Sequence, residues 1–494
     1  MTAPGGDDAG AEATTGRLDL RPALVAALTQ AVVLTLGSVG YGFHRDELYF
    51  RMLPPAWGYI DQPPLTPWLA RTMTAVVADE PWALRIPATV ASAATVVLLG
   101  VIARELGGDR RAVALAAWGG AFAGMPLAFG HVLVTATIDL PLTLAVVAAT
   151  LVAVRRDPRW WLVAGAITGV ALWNRLLIPL LMAGIGLGLA IVGPRRVLLT
   201  RWPWLGALLA TVVGLPNLVY QGMHGWPQLA MGRALSATNA DDVRGELPLM
   251  LLIALGPPLV LVCLWGAVHA WRTPSSRWLL APAVVVLVFT VVAAAQPHYP
   301  VAMLEVLYAA GCVPLSAWIG HRARRRRAVG GAIGLNAAVS LVVALPVIPV
   351  GTLGSTPVPG LSALVADQVG WPRYVDQVAT AYGQAKDPAA VIVTSNYGEA
   401  GAIARYGPAL GLPAAHSGHN DLGTRPGPPA TTRTVLFVGY QLDEVSSEFT
   451  SCLVVARLDN GLGVDNEEQG APVAICRDPV RPWSELWPRL AHLD

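Results

Sequence analysis

Acidic residues stand at the edges of apolar runs in this chain, where charge is costly. The stretch "HRDELYFRMLPPAWGYIDQPPLTPWLAR", His44 to Arg71, follows the apolar run "LVAALTQAVVLTLGSVG". It places Arg45, Asp46 and Glu47 side by side, then Asp61, and closes on Arg71. A charged side chain at bilayer depth costs roughly 2.5–3.5 kcal/mol, and one that persists there usually faces a polar cavity. The plainer alternative is that the pair only marks the membrane interface. The segment "LYFRMLPPAW" mixes apolar and aromatic residues with few charges, as does a helix lying flat on a bilayer. It is expected to roof the carboxylates.

Further groups of the same kind follow. In "HVLVTATIDLPLTLAV", His131 precedes Asp139 at the start of a later apolar run. An acid there also suits the helix dipole, worth about 0.3–1 kcal/mol. "ALWNRLLIPLL" sets Arg175 between two apolar runs, either as a snorkelling arginine or as the partner of an anion. "AAAQPHYP" adds His298 and Tyr299, which also read as packing residues at an interface. Carboxylates for proton transfer and cations for an anion therefore alternate along the chain. An acceptor deprotonated by a carboxylate, with a phosphate departing from a lipid carrier, is chemistry that such a set could perform. No Gly-rich phosphate loop, dinucleotide fingerprint, His-Glu-x-x-His pair or nucleophile elbow appears in a fitting context.

The elements that must position these groups are membrane helices. The chain has 494 residues, 54% hydrophobic and 13% charged, against roughly 25% charged in soluble domains. About eleven apolar runs are long enough to read as membrane spans. They lie near 22–41, 82–103, 112–129, 137–154, 160–174, 176–193, 203–220, 247–270, 278–295, 299–320 and 328–350. Arginines gather in alternate loops: Arg104 with Arg110 and Arg111, then "VRRDPRW", "GPRRVLLTRW", "WRTPSSRW" and "HRARRRR". All fall on one side, which makes the N-terminus cytoplasmic. The first long loop, residues 41–81, and the C-terminus are then extracytoplasmic.

The expected organisation has a disordered cytoplasmic tail over 1–20, lacking the basic start of a cleaved signal, and a transmembrane domain over 21–350. A Gly/Pro/Ser linker over 351–362 leads to an extracytoplasmic α/β domain over 363–494. There "AAVIVTSNYGEAGAIARYG" reads as strand, turn and helix, and "TVLFVGY", "SCLVVARL" and "APVAICR" as strands. The turn near Gly398 is either structural or an anion-binding helix start. Cys263 and Cys312 fall in apolar runs as packing residues, whereas Cys452 and Cys476 fall in the polar part, where a disulfide between them is expected. No cofactor is expected. The four carboxylates Asp46, Glu47, Asp61 and Asp139 could hold a divalent cation.

At these residues the chain resembles the bacterial glycosyltransferase family 39 enzymes of the GT-C superfamily, relatives of protein O-mannosyltransferases and of the lipid A aminoarabinose transferase. The resemblance rests on "FHRDELYF", "DQPPLTPWLAR" and "TIDLPL", and in the last third on "SNYGEAGAIARYG", "SGHN", "VLFVGY" and "CRDPVRPWSELWPRL". It implies a GT-C fold and inverting transfer of a monosaccharide, mannose or a pentose, from a polyprenyl-phosphate donor. The acceptor would be a hydroxyl of a lipid, glycan or protein at the outer face of the cytoplasmic membrane, with no nucleic acid involved. Asp46 would be the general base, and Glu47 would support it or position donor or acceptor. Arg45, Asp61, Arg71, His131, Asp139, Arg175, His298 and Tyr299 would serve substrate or phosphate. Many relatives carry lysine where this chain has Arg175, and often another near Gln296 and His298. The rival readings are a transporter or flippase of a lipid-linked substrate, and a catalytically silent relative that binds the cell wall.

Overall fold

The computed structural model of the chain describes residues 19–493. The expected tail, 1–20, thus lies outside the described residues except for Asp19 and Leu20. The bundle begins with α1 (Arg21–Gly37); a loop then carries α2 (Arg45–Met52) and α3 (Leu65–Val76) before α4 (Pro81–Glu105). Next come α5 (Arg110–Ala121), α6 (Gly124–His131), α7 (Thr135–Arg155), α8 (Trp160–Ala171), α9 (Ile178–Ile191) and α10 (Arg201–Met223). The bundle ends with α11 (Pro227–Leu255), α12 (Pro257–Arg272), α13 (Leu280–Val292), α14 (Val301–Ile319) and α15 (Ala323–Ala344).

Every expected apolar run is helical, but they differ in length. Among the described residues α4, α7, α10, α14 and α15 are each long and apolar enough to cross a membrane. Two runs are broken: α5 and α6 meet at 60°, and the end of α11 meets α12 at 98°. The second break has a local cause. Gly256 adopts φ +92°, and a Cβ there would collide with the Asn336 side chain, while Pro257 and Pro258 cannot continue the preceding hydrogen-bond ladder. The apolar run expected at 247–270 is therefore two helices at nearly a right angle. The other apolar helices, including α1, α8 and α9, are shorter.

Three single-turn helices, α16 (Val350–Leu353), α17 (Val358–Leu361) and α18 (Ala363–Ala366), lead out of the bundle. The segment expected as a linker is thus folded, with Leu353, Val358 and Val365 packed against Val369 and Val464. The C-terminal region holds α19 (Trp371–Gln384), β1 (Val391–Thr394), α20 (Tyr397–Tyr406), β2 (Ala415–Ser417) and β3 (Thr434–Val438). It ends with α21 (Leu442–Val445), β4 (Phe449–Arg457), β5 (Pro472–Pro479) and α22 (Trp483–Leu490). Its five-stranded sheet runs β2-β1-β3-β5-β4. β1 is parallel to β2 and β3, and β5 is antiparallel to both β3 and β4. Trp371, Tyr374, Val375, Val378 and Ala381 are buried along one stripe of α19, at the spacing of a half-buried helix. Cys452 and Cys476 face each other across β4 and β5 and are disulfide-bonded. Cys263 and Cys312 are buried free thiols.

One expectation about the first loop is corrected. The apolar residues of α2 in "LYFRMLPPAW" are covered by protein, while Pro54, Pro55 and Trp57 remain exposed. Leu48, Tyr49, Phe50 and Leu53 are buried in one core with Trp371, Val375, Ile403 and Leu436 of the C-terminal domain. Close helix approach makes this possible. A Cβ on Gly401 of α20 would stand 2.8 Å from Leu48 atoms of α2. The apolar residues of α2 thus find a protein partner, which removes them from water as well as a bilayer would.

Candidate active site

The site is assembled around α2. His44 caps this helix: its Nδ1 accepts from the Asp46 N–H at 3.2 Å, and the Glu47 carboxylate accepts the His44 N–H at 2.9 Å. Consecutive residues of a helix point about a quarter-turn apart. Capping therefore sends Asp46 and Glu47 to different surroundings.

Glu47 turns inward and is wholly buried. Its Oε1 accepts from Arg85 Nε and from the Leu133 N–H, each at 3.1 Å, and its Oε2 accepts from Arg85 Nη2 at 3.1 Å. Arg85, in the first turns of α4, also donates to the carbonyls of Ser38 and Gly42 and to Gln368 Oε1. One guanidinium thus ties together α1, α2, α4 and the start of the C-terminal domain. Glu47 is a strut, turned away from the cavity described below. His131 belongs to the same network, with Nε2 3.2 Å from Gln368 Oε1 and 3.4 Å from Arg85 Nη1.

Asp46 turns outward, half-buried, and lines a cavity of about 770 Å³. At the polar end of this cavity stand Arg175, Gln296, His298 and Thr135. Its remaining walls are mostly apolar: Met250 and Ile253 of α11, Leu335, Val339 and Val343 of α15, and Leu364 of α18. Both broken runs contribute, through Gly124 and Met125 of α6 and through the Gly256 break. Arg175 is held for work in one orientation. Its Nη2 donates to Thr135 Oγ1 at 2.6 Å, its Nη1 lies 3.0 Å from His298 Nε2, and its guanidinium sits 5.0 Å from the centre of the Tyr299 ring. A guanidinium only donates, so His298 accepts through Nε2 and carries its proton on Nδ1. Burial, reinforced by the Arg175 charge, holds the His298 pKa well below the ordinary imidazole value. His298 is thereby kept neutral and serves as a rest for Arg175.

The other residues expected at the site are placed elsewhere. Asp139, one turn after Thr135 on α7, is buried behind Arg175 and lines a separate small crevice with Tyr299. It reaches Arg175 electrostatically and does not line the main cavity. Arg71 is exposed on α3 and donates to the Arg51 carbonyl. It is not among the residues that line the main cavity. Arg45 is paired with Glu467 and lies over the Tyr397 ring at 4.7 Å, which engages it with the C-terminal domain. Asp61 is buried within electrostatic reach of Asp421 of that domain. Burial, then the charge of Asp421, raises its pKa to about 7. These positions separate the four carboxylates, and among the described residues no three His, Cys, Asp or Glu side chains are arranged to hold a metal ion.

Two residues of the site left little trace in the sequence. Arg85 reads in "PWALRIPATV" as an ordinary interface arginine at the start of an apolar run. Tyr397 begins α20 and donates its hydroxyl to Asp46 Oδ1 at 2.8 Å, from 351 positions away. No local pattern signals such a contact. The same helix start bears on the two readings of "SNYGEAGAIARYG". Asn396 and Glu399 cap each other's N–H groups, and the Tyr397 N–H donates to His419 Nδ1. Three donors of the turn are thus satisfied within the protein, which favours the structural reading.

The comparisons with known proteins agree with this architecture. Residues 61–220 match the family described as dolichyl-phosphate-mannose-protein mannosyltransferase. That segment holds Asp61, Asp139 and Arg175 and begins after Asp46. No curated protein matches the chain. Among solved structures, the chain is similar to ArnT from Cupriavidus metallidurans bound to undecaprenyl phosphate, with TM-score 0.64 and 17% identity, covering 92% of this chain and 97% of that one. The same protein in the apo state gives TM-score 0.61 and 15% identity, covering 95% and 99%. An oligosaccharyltransferase from Archaeoglobus fulgidus, tethered to an acceptor peptide, gives TM-score 0.51 and 14% identity, covering 86% and 69%. At these identities the structural likeness speaks for the fold. The chain thus has the fold of ArnT over nearly its whole length, and its residues 61–220 match the mannosyltransferase family model.

Proposed function

We propose that the protein transfers a monosaccharide, mannose or a pentose, from a polyprenyl-phosphate donor to a hydroxyl of a lipid, glycan or protein acceptor. The reaction is a single inverting displacement at the outer face of the cytoplasmic membrane. The acceptor oxygen bonds to the anomeric carbon as the bond from that carbon to the phosphate oxygen breaks. The acceptor proton passes to Asp46, and polyprenyl phosphate leaves. Arg175 stabilises the charge that builds on the departing phosphate. The C-terminus then stands outside, opposite the arginine-rich loops.

One observation carries this reading: Asp46 and Arg175 line the same cavity, whose other walls are apolar. A carboxylate and a fixed guanidinium are the minimum for proton removal and phosphate departure. An apolar trough beside them suits a prenyl chain. The ArnT structure bound to undecaprenyl phosphate is a fold relative with such a lipid.

Binding of undecaprenyl phosphate to the purified full chain tests the donor half. Arg175→Gln should weaken it about 10- to 100-fold, the worth of losing charge-assisted hydrogen bonds of about 1.5–3 kcal/mol. Arg175→Lys, which keeps charge but loses the fork, should fall between. Equal affinity in all three proteins would remove Arg175 from the phosphate site.

A further inference from the structure

We propose that Tyr397, carried by the C-terminal domain, is a positioning residue for the transfer: its hydroxyl fixes Asp46 Oδ1 and leaves Oδ2 for the acceptor hydroxyl. This rests on Asp46 being the base.

The geometry is specific. The Tyr397 hydroxyl donates to Asp46 Oδ1 at 2.8 Å. The ring is clamped on several sides. Tyr49 of α2 stacks on it at 4.6 Å, Arg45 lies 4.7 Å from its centre, and the His419 ring is 4.7 Å away. Tyr397 is absent from the cavity walls, whereas Asp46 is among them. The tyrosine therefore stands behind the carboxylate, away from the side a substrate approaches. A placeholder for the acceptor would have to occupy that side. Burial, reinforced by Asp46, raises the Tyr397 pKa well above the ordinary phenol value, so the hydroxyl remains a donor.

A carboxylate held by one oxygen gains a fixed direction for the other. In general a hydrogen bond donated to a carboxylate favours the form that can accept a proton, and Tyr397→Phe asks whether this one does. A fixed direction matters here because the rest of the cavity wall is mostly apolar. Delivery of the hydroxyl depends on α20 approaching α2 closely at Gly401. The C-terminal domain is thereby built into the catalytic centre.

The test uses the full chain in nanodiscs. Asp46 is titrated by pH-dependent carbodiimide labelling mapped by mass spectrometry, a readout that needs no acceptor. Tyr397→Phe keeps the ring and removes only the donor. The labelling midpoint of Asp46 should rise by about one pH unit, equivalent to about ten-fold in the protonation equilibrium. Transfer should fall most at acidic pH, and undecaprenyl phosphate should bind as tightly as to wild type. An unchanged midpoint overturns the proposal, and so does faster transfer, which would make Tyr397 a placeholder. If Tyr397→Phe loses its folded melting transition, 3-fluorotyrosine at position 397 takes its place. That stronger donor should lower the midpoint, and no movement overturns the proposal. The two readings fail separately. An inert Asp46→Asn beside a Tyr397→Phe protein with the wild-type midpoint removes only the role of Tyr397. An Asp46→Asn that still transfers removes the base, while the labelling still judges the contact between the two side chains.

Discussion

Arg85 grips Glu47 through Nε and Nη2, each at 3.1 Å from a carboxylate oxygen, and neither side chain reaches solvent. This pair decides what its neighbour can do. With Glu47 drawn into the bundle, the helical step leaves Asp46 on the cavity side. Arg85→Met strands a buried carboxylate and should cost about 3–5 kcal/mol. Thermal unfolding of the detergent-purified chain would read this as a lowered Tm. Adding Glu47→Gln to Arg85→Met removes the stranded charge and should recover part of the loss. A double variant less stable than Arg85→Met would contradict the pairing.

Asp61 and Asp421 make the seam between the first loop and the C-terminal domain sensitive to pH. The folded pKa of Asp61 is about 7, against an ordinary value of 3.8, through burial and the charge of Asp421. Asp421 is raised as well, chiefly by burial. The folded state therefore binds more protons than the unfolded one between those values. Its stability is fully present below about pH 4 and declines as pH rises through about 7. Hydrogen exchange, corrected for the intrinsic rate, should show residues 59–62 and 420–424 better protected at pH 5.5 than at pH 8. Asp61→Asn should shrink that difference, leaving the part that the burial of Asp421 contributes. Equal protection in wild type at both pH values would contradict it.

The disulfide staples the edge strand β4 to β5, closing a sequence separation of 24. Loop-closure entropy for a ring of that size amounts to about 3 kcal/mol. Replacing Cys452 and Cys476 together by alanine should destabilise the C-terminal domain by about that amount, read as earlier proteolysis on heating. An unchanged profile would show that the sheet holds its edge without the bond.

Much of the bundle was legible because a bilayer demands unbroken apolar runs, and every run expected is helical. The breaks were harder to see. Hydropathy continues across Phe122–Ala123, and only the "GPP" of Gly256–Pro258 signalled the sharper bend. In the site, Asp46 and Arg175 stood out because charge beside apolar sequence needs a reason. Sequence could not say which way each side chain turns. His131 and Glu47 face the inner network, Asp139 packs behind Arg175, and Arg71 faces away, though all are polar groups near the same boundary. The amphipathic character of α2 was visible, but its partner was not. The apolar residues of α2 suit a lipid surface and a protein core equally, and the core comes from residues hundreds of positions later.

The central claim is that Asp46 removes the acceptor proton beside a donor phosphate held at Arg175. The most direct measurement follows label from polyprenyl-phosphate mannose or a polyprenyl-phosphate pentose into hydroxyl acceptors of isolated cell envelope, with wild type and Asp46→Asn at matched donor occupancy. Loss of a general base should slow transfer about 10²- to 10⁴-fold while undecaprenyl phosphate binds as before. Transfer by Asp46→Asn at the wild-type rate would contradict the account.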